Sequence, residues 1–190
     1  MKKLLIYVVL LLVIGMIHVV AAQQTGQSNE TQVVIPDVSL QDSNGKIQPL
    51  ATLIDDRTVI VNFVFTTCNS ICPLLNATMQ AVEEQIQSRL GEEVILTSIS
   101  VDPLNDTPER LKTVSEQLGA GEDWHWLTGK RSSVNQVLKA FNIPVGGRPE
   151  DHPPVILVGN VKYQKWFRWV GIPAPDALVE AIDHVKYNEL

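Results

Sequence analysis

Cys68 and Cys72 are the only cysteines in this 190-residue chain, and they stand four positions apart in the stretch FTTCNSICPLL. Residues at i and i+4 share one face of a helix, so the two sulfur atoms can bond each other or share a ligand. Pro73 is favoured at the first position of a helix, which predicts that Cys72 is the N-cap and that Cys68 lies in the preceding loop. The positive end of the helix would then stabilise both thiolates.

Three kinds of site are open to this pair: a structural disulfide, a redox-active dithiol and part of a metal site. A disulfide that closes so short a loop adds little stability, because it removes little entropy from the unfolded chain. Structural zinc usually needs four cysteine or histidine ligands, whereas copper(I) accepts fewer and softer ligands. The pair therefore favours thiol exchange or copper binding over a purely structural role.

A third ligand would have to come from one of the four histidines. His18 lies in the apolar N-terminal segment, His125 stands between two tryptophans, and His184 falls near the end of the last predicted helix. His152 lies in GGRPEDHPPVILVG, a loop rich in glycine and proline that leads into an apolar strand. In a thioredoxin-like sheet this loop faces the cysteine loop, which makes His152 the preferred ligand. The alternative is an ordinary loop histidine.

The segments that would position these residues alternate between strands and helices. An almost continuous run of β-branched and aromatic residues at 58–65 predicts a strand buried on both faces, directly before the cysteines. Further elements are predicted in chain order: short strands within 33–50, a helix at 73–90, a strand at 93–101, helices at 107–118 and 132–141, strands at 155–159 and 163–170, and a helix at 175–186. This order predicts an α/β, thioredoxin-like fold, with a central mixed sheet and helices on both faces.

The N-terminal segment 1–22 combines a basic start, an apolar run and two alanines, which is the pattern of an export signal. The apolar run also approaches the length that spans a bilayer, so cleavage before Gln23 and retention as a membrane anchor both stay open. Either outcome predicts an exported protein, periplasmic or at the outer face of the cytoplasmic membrane. Residues 23–32 would form a polar tether, and residues 33–190 the domain.

The charge pattern argues against one broad class of partner. The chain has 15 basic and 21 acidic residues, and the basic residues are scattered rather than clustered. A nucleic-acid surface needs clustered lysine and arginine that displace counterions from phosphates. We therefore expect no nucleic-acid partner.

Four motifs together resemble the Sco proteins, the SenC/PrrC group of copper-binding, thioredoxin-like assembly factors for cytochrome c oxidase. The motifs are NFVFTTCNSICP at 62–73, SVDPLNDTPERL at 100–111, WLTG at 126–129 and DHPPVILV at 151–158. The likeness runs from about residue 33 to residue 184, and the order of the motifs is more specific than the cysteine spacing alone. Asn69 after the first cysteine and the Asn160-Val161 turn depart from the usual pattern, but neither removes a ligand.

The resemblance implies that Cys68 and Cys72 supply two sulfur ligands to copper and that His152 supplies a nitrogen. It implies a chaperone that holds Cu(I), or Cu(II) with an added oxygen ligand, and passes it to the dinuclear copper centre of cytochrome c oxidase subunit II. The alternative is an exported thiol-disulfide oxidoreductase that uses the same cysteines to reduce those of the oxidase subunit or other exported thiols. A peroxidase fits a cysteine pair less well, and an inert disulfide on a partner-binding module is the non-catalytic alternative.

The same resemblance bears on partners and on two acidic residues. Other copper chaperones and thiol reductases would be further partners, and the N-terminal segment would attach the domain to the membrane. Asp102 and Asp106 match the family's acidic block, where Asp102 would lie near the cysteine loop and tune the site or contact a partner. Turn formation, and capping of the next helix by Asp106 or Thr107, is the simpler interpretation.

Overall fold

Strands and helices alternate along the chain in the computed structural model, which describes residues 28–186. The strands are β1 (Asn29–Thr31), β2 (Ser39–Asp42), β3 (Ile47–Pro49), β4 (Thr58–Val64), β5 (Val94–Ser100), β6 (Trp124–Thr128), β7 (Val155–Asn160) and β8 (Lys165–Val170). The α-helices are α1 (Leu50–Ile54), α2 (Cys72–Gln85), α3 (Pro108–Leu118), α4 (Arg131–Ala140) and α5 (Pro175–Lys186). Short 3-10 helices lie at Gln87–Arg89 and Pro149–Asp151.

The strands form one mixed sheet in the order β1-β8-β7-β4-β5-β6-β2-β3. Strands β4, β5 and β6 are parallel, whereas β7 pairs antiparallel with β4 and β8 pairs antiparallel with β7. Val64 pairs with Ser100 at the ends of β4 and β5, and Asn62 pairs with Ile156 near the start of β7. The loops that follow β4 and β5 and the loop that precedes β7 therefore meet at one edge of the sheet.

Helices cover both faces of this sheet. Strands β4, β5 and β7 are buried at every residue, as expected for strands that lie between two layers of helices. Side chains of α1 and α4 belong to the core cluster on one face, and those of α2, α3 and α5 belong to the cluster on the other. The predicted mixed sheet with helices on both faces is confirmed.

The structure differs from the sequence-based expectation at helix α1, which was not predicted, at the start of α2 and at two strands. The N-cap of α2 is Ile71, so the prediction that Cys72 is the N-cap was wrong. Cys72 is instead the first helical residue, and Pro73 is tolerated one position later because amides of the first turn have no acceptor within the helix. Strand β6 was absent from the predicted elements. Strand β1, in the segment expected to be a tether, pairs with β8.

The segment 1–22, predicted as a signal or anchor, lies outside the described residues. Among the helices of residues 28–186, none combines the length and the apolar character that crossing a bilayer requires. Cleavage or retention of the N-terminal segment stays a prediction, as do the domain boundaries.

Gly159 in β7 is a position where the fold leaves no room for a side chain. A Cβ there would overlap the indole ring of Trp166, the fully buried residue opposite it in β8. That ring packs edge-on against Phe141, with ring centroids 5.4 Å apart, so it cannot move aside. We expect Gly159→Ala to lower the free energy of unfolding by about 2 to 3 kcal/mol in chemical denaturation.

Gly121→Ala is the matched control for this substitution. A Cβ at Gly121 would meet the carboxylate at the flexible end of the Glu83 side chain, which can shift. We expect a much smaller loss of stability there, and equal losses in both variants would contradict the packing argument.

Candidate metal centre

The two cysteines lie at the junction between β4 and α2. Cys68 is half-buried in the loop, and Cys72 is 4% exposed at the first position of the helix. They form a disulfide with Cα atoms 5.8 Å apart. The backbone N–H of Cys72 donates a hydrogen bond to Cys68 Sγ over 3.4 Å. Cys68, the more exposed of the two cysteines, is therefore also the one whose Sγ receives positive partial charge from the first turn of the helix.

A buried carboxylate anchors the cysteine loop. Asp106 is 1% exposed, and its Oδ1 accepts hydrogen bonds from the backbone N–H of Thr66 at 3.0 Å and from the Thr66 hydroxyl at 2.6 Å. Its Oδ2 accepts a hydrogen bond from the Ser100 hydroxyl at 2.6 Å. Because Thr66 follows β4 and Ser100 ends β5, this carboxylate joins two strand ends two residues before Cys68. Thr107, rather than Asp106, caps α3.

His152 lies in the loop that leads into β7. Its ring packs edge-on against Phe65, with ring centroids 5.8 Å apart. Its Nδ1 lies 2.9 Å from the carbonyl oxygen of Pro153, and because a carbonyl can only accept, the proton is on Nδ1 and the lone pair on Nε2. Burial lowers the pKa of His152 below the usual value for histidine, which favours the neutral imidazole that binds metals.

The cysteines and His152 border two different cavities. The first, here called the cysteine cavity, has a volume of 210 Å³ and is bordered by both cysteines and by Phe65. The second, the histidine cavity, has a volume of 280 Å³ and is bordered by His152 and Asp102. Phe65 connects the two cavities, because its side chain borders the cysteine cavity and packs on the imidazole of His152, which borders the histidine cavity. Across residues 28–186, no three cysteine, histidine or acidic side chains cluster as a metal site would require.

The remaining sequence candidates have other surroundings. Asp102 forms part of a turn, in which its Oδ2 accepts a hydrogen bond from Asn105 Nδ2 at 2.8 Å. His125 in β6 is half-buried and borders neither of the two cavities, and burial lowers its pKa. His184 on α5 is exposed and lies 3.5 Å from Glu180. His18 is outside the described residues.

Sequence reasoning did not single out Thr66 and Ser100, which Asp106 ties together. Neither residue carries a signal of its own, because hydroxyl side chains at strand ends are common and their shared acceptor is 40 residues from one of them. Only the parallel pairing of β4 with β5 brings the three groups into contact.

Soft metals suit the donors present at this edge of the sheet. Two sulfurs and an imidazole nitrogen form a set that copper(I) prefers, whereas magnesium and calcium prefer oxygen ligands. A thiolate is the form of cysteine that binds metal, so the Cys68–Cys72 disulfide must be reduced first. The residues therefore fit copper in the reduced state of the pair.

A sequence profile of the SCO1/SenC family matches residues 26–157, which is more than half of the chain. The chain belongs to the SCO1/SenC family. The SCO1 protein homolog of Bacillus subtilis is 30% identical over 159 residues, which cover 80% of this chain and 76% of that protein. A Stutzerimonas stutzeri protein, provisionally named as copper-binding, is 34% identical over 111 residues, which cover 58% of this chain and 52% of that protein.

Solved structures of Sco proteins share the fold of this chain. BsSco, a member of the Sco family of cytochrome c oxidase assembly proteins in which a disulfide switch was identified, superposes with a TM-score of 0.69 at 23% identity, over 84% of this chain and 96% of that chain. ScoI of Arabidopsis thaliana with copper bound superposes with a TM-score of 0.66 at 21% identity, over 85% of this chain and 98% of that chain. The likeness confirms the predicted thioredoxin-like α/β fold.

Removal of the Asp106 carboxylate should release the cysteine loop from the end of β5. Asp106→Ala leaves the hydroxyls of Thr66 and Ser100 without their acceptor, and each buried group that loses its partner costs about 1 to 3 kcal/mol. We expect the free energy of unfolding of the oxidised protein to fall by about 3 kcal/mol in urea denaturation. Asp102→Ala is the control, because its carboxylate accepts from Asn105 in an exposed turn. A loss as large in the control would contradict the anchoring role.

The two half-buried imidazoles should make stability depend on pH. Burial lowers the pKa of both His125 and His152 below 6.5, so at mildly acidic pH the unfolded chain binds more protons than the folded chain. Their contribution is constant well above pH 6.5, and the free energy of unfolding falls as pH drops from there through the folded pKa values. Imidazole proton shifts followed by NMR should give both midpoints below 6.5, and a midpoint at or above that value would contradict the burial argument.

Proposed function

We propose that this chain is a copper-binding protein of cytochrome c oxidase assembly that carries copper on Cys68, Cys72 and His152. Copper is the cargo, and the recipient is the dinuclear copper centre of oxidase subunit II. Membership of the SCO1/SenC family supports the assignment. Further support comes from ScoI of Arabidopsis thaliana, which has the same fold and binds copper, and from BsSco, which is an oxidase assembly protein.

The observation that carries this proposal is the meeting of two loops at one edge of the sheet. The cysteine loop follows β4 and the histidine loop precedes β7, and these strands pair antiparallel with Asn62 opposite Ile156. The contact between the rings of Phe65 and His152 then joins the two loops. Soft donors that are far apart in sequence are thereby held on the same side of the domain.

Copper binding on these residues requires two changes. A dithiol reductant supplies two electrons and two protons that convert the Cys68–Cys72 disulfide into two thiols, and the reductant becomes a disulfide itself. The two thiols release their protons as Cu(I) binds. His152 packs against Phe65 and borders a different cavity from the cysteines, so its Nε2, which carries the lone pair, must then move towards the sulfurs. Gly146 and Gly147 precede His152 with φ values of 90° and 85°, a backbone conformation that suits a hinge in this loop. Opening of the loop would release the ion to the recipient.

An anaerobic Cu(I) competition titration of the reduced full chain in non-ionic detergent tests the proposal. We expect one tightly bound equivalent, and a loss of affinity of at least about tenfold in His152→Ala, which corresponds to about 1.4 kcal/mol. We expect no tight binding to the oxidised chain, because its sulfurs are bonded to each other.

His125→Ala is the matched control, since His125 is also half-buried and burial also lowers its pKa. We expect this variant to bind Cu(I) like the unmodified chain. Equal weakening by the two substitutions, or no tight binding to the reduced chain, would refute the proposed ligand set.

Thiol-disulfide exchange is the second candidate function, and the unequal exposure of the two cysteines favours it. Half-buried Cys68 can meet a partner sulfur, whereas Cys72 is placed to resolve the mixed disulfide from within. The two functions are separated with the isolated copper-site domain of subunit II. A reductase restores its thiols without copper and independently of His152, and a chaperone transfers copper to the reduced domain in a reaction that depends on His152.

Either function also places the domain outside the cytoplasm, where the copper centre of the oxidase is assembled. The N-terminal segment predicted over residues 1–22 would export the domain and, if retained, hold it at the outer face of the membrane. This location is part of the proposal.

A further inference from the structure

The cysteine cavity has features that the proposed copper site does not use. It lies between the start of α2 and the second half of α3, and it opens beside Cys68 without reaching His152. Gln80 of α2 donates a hydrogen bond to the carbonyl of Leu118, which ties the two helices together along this cavity. Its wall is largely apolar and includes Phe65, Pro73, Val114, Leu118 and Trp126.

Two buried polar side chains border the same cavity. Trp126 is 1% exposed, and its indole N–H has no hydrogen-bond partner in the described part of the chain. Asn76 is 6% exposed and lies four residues after Cys72 on α2, on the same face of the helix. The indole N–H has no accessible surface and Trp126 contributes apolar wall, so Asn76 is the buried polar side chain that can present a hydrogen-bonding group to a ligand in this cavity.

A directional chain of hydrogen bonds makes Asn76 a donor at this border. An indole N–H can only donate, and Trp124 donates to the Ser98 hydroxyl at 2.9 Å. Ser98 therefore donates its own proton to Asn62 Oδ1 at 2.6 Å. Asn62 Nδ2 then donates to Asn76 Oδ1 at 3.5 Å. The amide oxygen of Asn76 is engaged within the core, and its Nδ2 group is the donor at the end of the chain.

We propose that the cysteine cavity is a binding subsite for a cysteine-bearing polypeptide segment. An apolar side chain next to the partner's cysteine would occupy the cavity, and the adjoining backbone carbonyl would accept a hydrogen bond from Asn76 Nδ2. The inference rests on the proposed function, because both copper transfer and thiol exchange require a partner cysteine to meet Cys68. A polypeptide supplies a sulfur, an apolar group and an acceptor at a fixed spacing, which matches the groups that border this cavity.

Thiol-disulfide exchange at this subsite is balanced without another reagent. The thiolate of Cys68 attacks one sulfur of the partner's disulfide, a new bond forms between Cys68 and that sulfur, and the partner's other sulfur leaves as a thiolate. Cys72 then attacks Cys68 Sγ, re-forms the internal disulfide and releases the first partner sulfur. The pair loses two electrons and the partner gains two, while the protons of the pair pass to the released thiols.

Activated peptides measure the side-chain preference of this subsite. The reduced full chain in non-ionic detergent reacts with acetylated Leu-Cys-Gly or Gly-Cys-Gly, whose cysteine carries thionitrobenzoate, and the released chromophore is followed by absorbance. Each rate is divided by the rate of the same protein with Ellman's reagent, which reports the intrinsic reactivity of Cys68. We expect the leucine peptide to react about tenfold faster than the glycine peptide, because its side chain is buried in the cavity.

Two pairs of variants locate the preference. Val114→Glu places a charge in the cavity wall and should abolish the leucine preference, whereas Val179→Glu, at a half-buried valine of α5 away from the cavity, should keep it. Asn76→Leu removes the donor at the end of the hydrogen-bond chain and should lower the normalised rates of both peptides about fivefold. Asn135→Leu is its control, because Asn135 is a half-buried asparagine of α4 that borders the histidine cavity instead, and it should leave these rates unchanged.

The outcomes separate this subsite from the proposed function. Equal normalised rates for the two peptides, or equal effects of the paired variants, would overturn the subsite while Cu(I) binding and reaction with Ellman's reagent still support the function. A reduced chain that neither binds Cu(I) nor reacts with Ellman's reagent would overturn both.

Discussion

The buried carboxylate of Asp106 is the interaction on which the rest of the site depends. It accepts three hydrogen bonds, two from Thr66 after β4 and one from Ser100 at the end of β5. Burial of a carboxylate is unfavourable unless hydrogen bonds compensate for the lost water, and here two strand ends provide them. The position of the cysteine loop, and through it the start of α2, follows from that local arrangement.

The site combines an accessible sulfur with a protected one. Cys68 is half-buried, and its Sγ accepts a hydrogen bond from the backbone N–H of Cys72. Cys72 is 4% exposed and is the first residue of the helix. The same asymmetry serves both candidate functions, because ligand exchange on copper and attack on a disulfide each need one sulfur that a partner can reach. His152 is the group that separates them, since a nitrogen ligand is needed by a copper carrier and has no role in disulfide exchange.

A chain of hydrogen-bonded polar side chains runs through the core from β6 to α2. Trp124, Ser98, Asn62 and Asn76 are linked by hydrogen bonds whose direction is set by the indole N–H at one end. Such chains are costly when incomplete, because each unpaired member is a buried polar group in a low-dielectric interior. The other end of this hydrogen-bond chain is Asn76, which lies on the same face of α2 as Cys72 and borders the cysteine cavity. An acceptor from the partner would complete the chain there. The proposed subsite would extend function at this edge of the sheet beyond the three proposed copper ligands.

The sequence by itself determined the elements and the reactive residues. Runs of β-branched residues predicted the central strands, the apolar spacing after Pro73 predicted α2, and the cysteine spacing predicted a pair that can bond at a helix start. These features depend on residues that are neighbours in the sequence, so they can be recognised from the sequence alone. Strand β6 was missed because five residues with a half-buried histidine carry too short a pattern, and the N-cap was misplaced because proline fits either of the first two helical positions. Tertiary structure alone decided that Asp106 joins two strand ends, that Phe65 packs on His152 and borders the same cavity as the cysteines, and that Asn76 and Trp126 border one cavity. Those contacts depend on strand register between segments far apart in the chain, which local spacing does not encode.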